Sequence, residues 1–149
     1  MSHVANISTA GLEYDLDAIK HLCQWQGWEF LEGQQTYAWF GRSVGDYPIP
    51  EGYNVDDLGK CEHAIRLPGC SYEVGVVKGQ NGGWVIMADF WQSGGLDVAL
   101  GAKGEIFNQL YHVNQDIMWA ESKGYAWEEA QGSTETSKKI AIYTEGGEW

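Results

Sequence analysis

The sequence predicts an α+β domain: an antiparallel sheet with two main helices on one face, built of ferredoxin-like β-α-β-β units that suggest a duplication. Three observations predict it. Two segments, 16–26 and 104–123, carry apolar residues at helical spacing, and both stop at a glycine. Three alternating runs, 61–67, 71–78 and 84–91, are separated by Pro68-Gly69 and Asn81-Gly82, which are turn signals. The order helix, glycine, aromatic, strand, turn, strand occurs after Gly27 and again after Gly124.

Taken in order, residues 3–9 form a first strand of weak alternation. Asp15 is the N-cap of helix 16–26, whose Leu16, Ile19, Leu22 and Cys23 share a face, and Gly27 supplies its left-handed end. Two short strands follow, 28–31 and 37–40, with Glu32-Gly33-Gln34-Gln35 as the turn between them. Residues 42–60 hold two prolines and three glycines and have no sustained period. They form a long irregular loop carrying Arg42, Tyr47, Tyr53 and four carboxylates, and loops of this length are often functional. The meander 61–67, 71–78, 84–91 comes next, with its last strand apolar enough to be central. Gln92-Ser93-Gly94-Gly95 breaks that strand, and a short helical turn follows at 96–100. Helix 104–123 has Ile106, Phe107, Leu110, Val113, Ile117 and Met118 on its apolar side. Strands 125–130 and 140–143 close the chain, and the tail to Trp149 is loose unless Trp149 docks.

A chain of 149 residues fits one domain, 1–149. The hydrophobic fraction of 44% and charged fraction of 20% are those of a globular protein. No apolar run is long enough to span a membrane, and the N-terminus lacks the basic and apolar regions of a signal peptide. A cytoplasmic location is expected. The net charge of −12, with scattered basic residues, argues against contact with an extended nucleic acid, although one small nucleotide needs only one or two cations. Three cysteines do not make a disulfide framework. Eight Trp and eight Tyr mostly serve the core, with some left to line a ligand pocket or interface. Nothing in the sequence sets an oligomeric state.

The run Cys61-Glu-His-Ala-Ile-Arg-Leu-Pro-Gly69 stands out, with Tyr72-Glu-Val-Gly-Val-Val77, Ala88-Asp89-Phe90-Trp91, Ser93-Gly94-Gly95-Leu96 and the opening Met1-Ser2-His3. Together these resemble the family called domain of unknown function 1257, which includes hypothetical proteins of cyanobacteria, algal plastids, other bacteria and phages. The resemblance implies a cytoplasmic or plastid-like location and transfers no activity.

The chemistry-bearing residues are few. Cys61, His63 and Cys70 invite a metal reading, but a tight Pro68-Gly69 turn sets Leu67 opposite Cys70, and at about 3.3 Å per residue the two cysteines are then roughly 20 Å apart. No metal and no cofactor are expected. Asp89 ends an apolar strand and needs a partner, for which Arg66 on the same sheet is a candidate. Ser93-Gly94-Gly95 could present backbone N–H groups to an anion, yet it lacks the spacing and lysine of a phosphate-binding loop. No nucleophile elbow or paired Cys-x-x-Cys is present.

Two readings follow, and no catalytic set is specified. The first is a non-enzymatic binding or adaptor module, holding a protein partner or a small-molecule ligand. A narrower form sequesters a small nucleotide with Arg42, Arg66, the Ser93–Gly95 turn and stacking aromatics. Its surface is expected where the 42–60 loop, with Arg42, Tyr47 and Tyr53, meets the strand end from Asp89 through Trp91 to Ser93, Gly94 and Gly95. The second is a small hydrolase or transferase using His3, His63 and Asp89. The binding module ranks first, because no constellation specifies chemistry.

Overall fold

A computed structural model of the chain describes residues 3–8, 12–42 and 47–144. Met1 and Ser2, residues 43–46 of the long loop, and the tail with Trp149 lie outside the described residues. The elements are β1 Val4–Asn6, α1 Leu16–Gln26, β2 Glu29–Glu32, β3 His63–Arg66, β4 Val74–Lys78, β5 Trp84–Asp89, α2 Leu96–Ala99, α3 Glu105–Ser122, β6 Ala126–Glu129 and β7 Ile140–Tyr143. Five strands form one antiparallel sheet in the order β1-β5-β4-β3-β2. The α+β class and the meander of three consecutive neighbours are as expected from the sequence. No helix among the described residues is long and apolar enough to cross a membrane.

Helix α1 starts where the Asp15 carboxylate accepts the Ala18 N–H at 2.9 Å, and it ends where Gly27 takes φ 75°. Its buried Ala18, Ile19, Leu22 and Cys23 form one stripe. Helix α3 buries Phe107, Leu110, Tyr111, Asn114, Ile117 and Ala120 in the same manner. The two helices pack on each other and on Ile65, Val74, Val76, Ile86 and Ala88 of the sheet, which makes the main core. Between them Asn114 Nδ2 donates to the Ala18 carbonyl at 3.0 Å, so a fully buried amide is matched at the helix crossing.

Three expectations need correction. Residues 37–40 are not a strand of a hairpin with β2. They lie over the sheet face that the helices leave open, and their backbone bonds one partner at a time: Tyr37 N–H to the Gly59 carbonyl, Ala38 N–H to Glu73, and Phe40 N–H to Asp89. The partner of β2 is instead β3, with Leu31 opposite Ala64. The second half of the echo is also different: β6 and β7 pair only with each other, so the β-α-β-β order occurs once in the main sheet and the C-terminal pair is a separate hairpin.

The third correction concerns the turn. Gly69 has φ 78° and Cys70 N–H does bond the Leu67 carbonyl at 3.2 Å, but the β3–β4 ladder begins only at Ile65 opposite Val74. The residues between are drawn aside, because the Ser71 and Tyr72 N–H groups both donate to the Gly94 carbonyl and Glu73 N–H donates to Ala38. At Asn81-Gly82 the hairpin closes one residue wider than a two-residue turn. Gly79 N–H bonds the Gly83 carbonyl at 2.8 Å, and Gly82 takes φ 88°.

Candidate functional site

The open face of the sheet carries the residues that alternate with the helix-side core. One row across it is Asn6, Met87, Gly75, Ala64 and Leu31. Gly75 has no side chain there because the Tyr37 ring occupies the space: a Cβ on Gly75 would lie 2.3 Å from a ring carbon. Tyr37, Cys61, Ala64, Val85 and Met87 form a second, smaller core, with Leu31, Trp39, Tyr53 and Val77 against it. The cover is irregular chain, and its buried N–H groups need acceptors.

Two carboxylates on this face supply them. Asp89 is fully buried, and its Oδ1 accepts the N–H groups of His3 at 2.8 Å and Trp91 at 3.0 Å, while Oδ2 accepts that of Phe40 at 3.0 Å. Glu73 is buried as well. Its Oε1 accepts Ala38 N–H and the Gln34 amide, both at 3.0 Å, and its Oε2 accepts Arg66 Nε and Nη2 at 3.2 and 3.0 Å. Arg66 also reaches Glu29 at 3.3 Å. The expected Asp89–Arg66 partnership is therefore replaced: Asp89 holds backbone amides, and Arg66 holds Glu73 and Glu29.

The expected catalytic trio is not brought together. His63 points to the helix side, in the row of Val76 and Ile86, where its ring packs between Phe30 and Trp84 and its Nδ1 accepts the Gly33 N–H at 2.9 Å. Asp89 lies on the other face, and His3 meets it through the main chain. Cys61 belongs to the open-face core and Cys70 packs at the helix-side core, so the sheet separates them. Burial pushes the Cys61 thiol up to about 12, and the neighbouring Glu62 adds to this; its Sγ–H donates to the Gln34 carbonyl at 3.2 Å. Such a thiol is a poor nucleophile. Among the described residues no group of three His, Cys, Asp or Glu side chains is placed to hold a metal ion.

The Ser93–Gly95 turn is filled from within. The Tyr72 ring lies against Gly94, where a Cβ would come within 1.9 Å of it, and Tyr72 OH and Ser93 Oγ are 3.0 Å apart. Cys70 lies against Gly95. The glycines thus admit a protein side chain rather than an anion. Arg42 is exposed and stacks its guanidinium 5.7 Å from the Phe40 ring centroid.

The two regions of the expected surface do meet at His3. Tyr47 of the loop stacks on its ring at 4.4 Å, and Trp91 of the strand end meets the same ring edge-on at 5.0 Å. Sequence reasoning did not place His3 between them.

Beside this cluster the loop stands off the sheet and leaves two adjoining hollows. The larger, about 660 Å³, runs between β1 and the 47–53 segment, past Glu13, Tyr47, Pro48, Pro50 and Glu51. The smaller, about 280 Å³, lies over the second core between Asp57, Leu58, Lys60, Glu62, Val77 and Met87. Gly52 and Tyr53 line both, so Tyr53 stands at the junction. Burial, and after it the carboxylates Glu13, Asp57 and Glu62, hold the Tyr53 phenol above the usual tyrosine value.

Three of these carboxylates are oriented by main-chain bonds. Glu13 accepts Asn81 and Gly83 N–H, Asp57 accepts Asn54 N–H, and Glu62 accepts Lys78 N–H. Pro48, Ile49 and Pro50 of the loop, and the acids Glu13 and Glu62, were not singled out from sequence. The only available signal was the length of the loop, since the cleft arises from distant segments meeting. Comparisons with family models, with curated proteins and with solved structures find no match for the chain.

Proposed function

We propose that the chain is a non-enzymatic binding module that takes its ligand in the cleft between the 47–62 loop and the open face of the sheet. One observation carries the reading: two adjoining hollows, of about 660 and 280 Å³, meet at one tyrosine over an apolar floor of Val77, Val85 and Met87. Ligand sites are typically concave, apolar-floored and set with a few polar groups. The fixed carboxylates at the rim are such groups. The His3–Tyr47–Trp91 cluster anchors one end of the loop and so shapes the cleft.

A nucleotide draws less support than a neutral or cationic ligand. Arg66 is committed to Glu73 and Glu29, Ser93 is bonded to Tyr72, and Arg42 is not in the cleft lining, which leaves Lys60 as the one cation among its described residues. We assign the protein to the cytoplasm in the same reading, because its three free thiols suit a reducing compartment. Kinship with the domain of unknown function 1257 belongs to this proposal too, resting on the Cys61–Gly69 and Ala88–Trp91 runs.

A thermal-shift screen of small molecules tests the site. Hits are expected to lose more than about 1 kcal/mol of affinity in Tyr53→Ala, the usual threshold for an important contact, while the unliganded variant keeps its cooperative unfolding. Arg42→Ala is expected to bind as the parent does, since Arg42 lies outside the cleft lining. Hits that bind Tyr53→Ala unchanged would reject the site.

A further inference from the structure

The cleft has a charge pattern as well as a shape. Glu13 and Glu51 border the larger hollow, Asp57 and Glu62 border the smaller one, and Lys60 is the one cation among the described lining residues of either. The two acidic hollows share Tyr53 and Gly52 in their linings, with Val77 and Met87 lining the smaller and Val85 the larger. From one end to the other the requirement reads as cation, apolar chain, cation. An ammonium group also gains from lying over a tyrosine face, and both Tyr53 and Tyr47 border the larger hollow.

Accordingly, and resting on the binding-module reading, we propose that the cleft binds a linear aliphatic polyamine, with one ammonium group at Glu13 and Glu51, another at Asp57 and Glu62, and the methylene chain along Tyr53. The acids are suited to this. Glu13, Asp57 and Glu62 are already held by main-chain N–H donors, so little side-chain freedom is lost when an ammonium arrives. Each carboxylate has lone pairs beyond those bonds, since a carboxylate can accept about four. The raised Tyr53 phenol, with three carboxylates around it, is consistent with a negative field converging on the junction.

The test is titration calorimetry with spermidine at low and high salt. One site per chain is expected, weakened by salt because the contacts are only partly buried. Glu51→Gln and Glu62→Gln, one in each hollow, should each weaken binding about threefold, the scale of a solvent-accessible ion pair. Both are isosteric, and their unfolding curves check the fold. Asp116→Asn with Glu135→Gln removes two exposed charges remote from the cleft and should leave binding unchanged. If that remote pair weakens spermidine as much as the cleft variants do, the binding is diffuse attraction to an acidic protein and the proposal fails.

A blocked lysine-rich hexapeptide binding more than about tenfold tighter than spermidine, with the same dependence on Glu51 and Glu62, would overturn the small-molecule assignment in favour of a protein segment. No spermidine binding, together with neutral screening hits that Tyr53→Ala abolishes, would overturn the polyamine and keep the binding-module reading. Hits indifferent to Tyr53→Ala would overturn both.

Discussion

The two faces of the central sheet are covered by different kinds of chain, and they are held by different forces. On one face α1 and α3 satisfy their own backbone groups, so the sheet need offer them only apolar side chains: Ile65, Val74, Val76 and Ile86 meet Ile19, Leu22, Phe107 and Leu110. On the other face the cover is irregular, and its N–H groups must be met from below. That is where the sheet places Asp89 and Glu73, both buried and both bonded to main chain. A buried carboxylate in a strand therefore need not signal catalysis. Here it marks the place where a loop, rather than a helix, was laid on the sheet.

The comparison can be broken at its strongest point first. Phe107→Ala on the helix face should destabilise the fold by about 3–5 kcal/mol, the range for truncating a fully buried aromatic, as read from denaturant unfolding. On the loop face Asp89→Asn keeps the shape but turns an NH2 toward one of three N–H donors. It should lose about 2 kcal/mol, the scale of a stranded buried donor. Hydrogen exchange should speed up at Phe40, Trp91 or His3 more than at Ile86. A neutral Asp89→Asn, or exchange that rises evenly over the whole sheet, would show that the carboxylate does not hold the loop.

The thiols sharpen the same contrast, since each face buries one. Burial pushes Cys23 on the helix face, and Cys61 on the loop face, from an ordinary 9.0 up to about 12. Tyr37 is pushed from 10.0 up to about 12, chiefly by burial. A group raised on folding stabilises the native state fully below its unfolded value, and that contribution is lost as pH climbs to the folded value. Stability should thus be level with respect to these groups below pH 9 and should fall between pH 9 and about 12. Cys61→Ala and Cys23→Ala should each flatten the fall.

The smallest effect is kinetic. Under native conditions a thiol reagent should label half-buried Cys70 first, then Cys61, then Cys23, if the loop face opens while the helix face stays shut. Simultaneous labelling of Cys61 and Cys23 would mean that the two faces open as one unit, and the distinction drawn between them would not extend to dynamics.

The same division explains what could be read from sequence. The helix face was legible because its signals are local. Asp15 and Gly27 bracket the 11 residues of α1, and the stripe from Phe107 to Ile117 repeats with the helical period. The meander was legible from its turns, although the Gly94 carbonyl pulls residues 71 and 72 out of the expected ladder. The loop face was not legible. Residues 37–40 look like a strand because Tyr, Trp and Phe favour extended chain, but the backbone bends at Trp39 and no neighbour runs alongside them. Two of the three partners of Asp89 lie 86 and 49 residues away, and all three are backbone amides, which leave no trace in residue type. Of the expected surface residues, Tyr47 and Tyr53 line the cleft, Trp91 supports it through His3, and Arg66, Ser93, Gly94 and Gly95 serve the scaffold.

Because Asp89 grips main-chain N–H groups alone, and Glu73 grips that of Ala38, these bonds do not depend on what residues 38, 40 and 91 carry beyond Cα. Proline, which has no N–H, is the one residue that by itself removes that bond at positions 38, 40 and 91. Beyond Tyr47, which stacks on His3, residues 48–53 line the cleft. Loop side chains can therefore change while the main-chain bonds that hold the loop to the sheet stay in place.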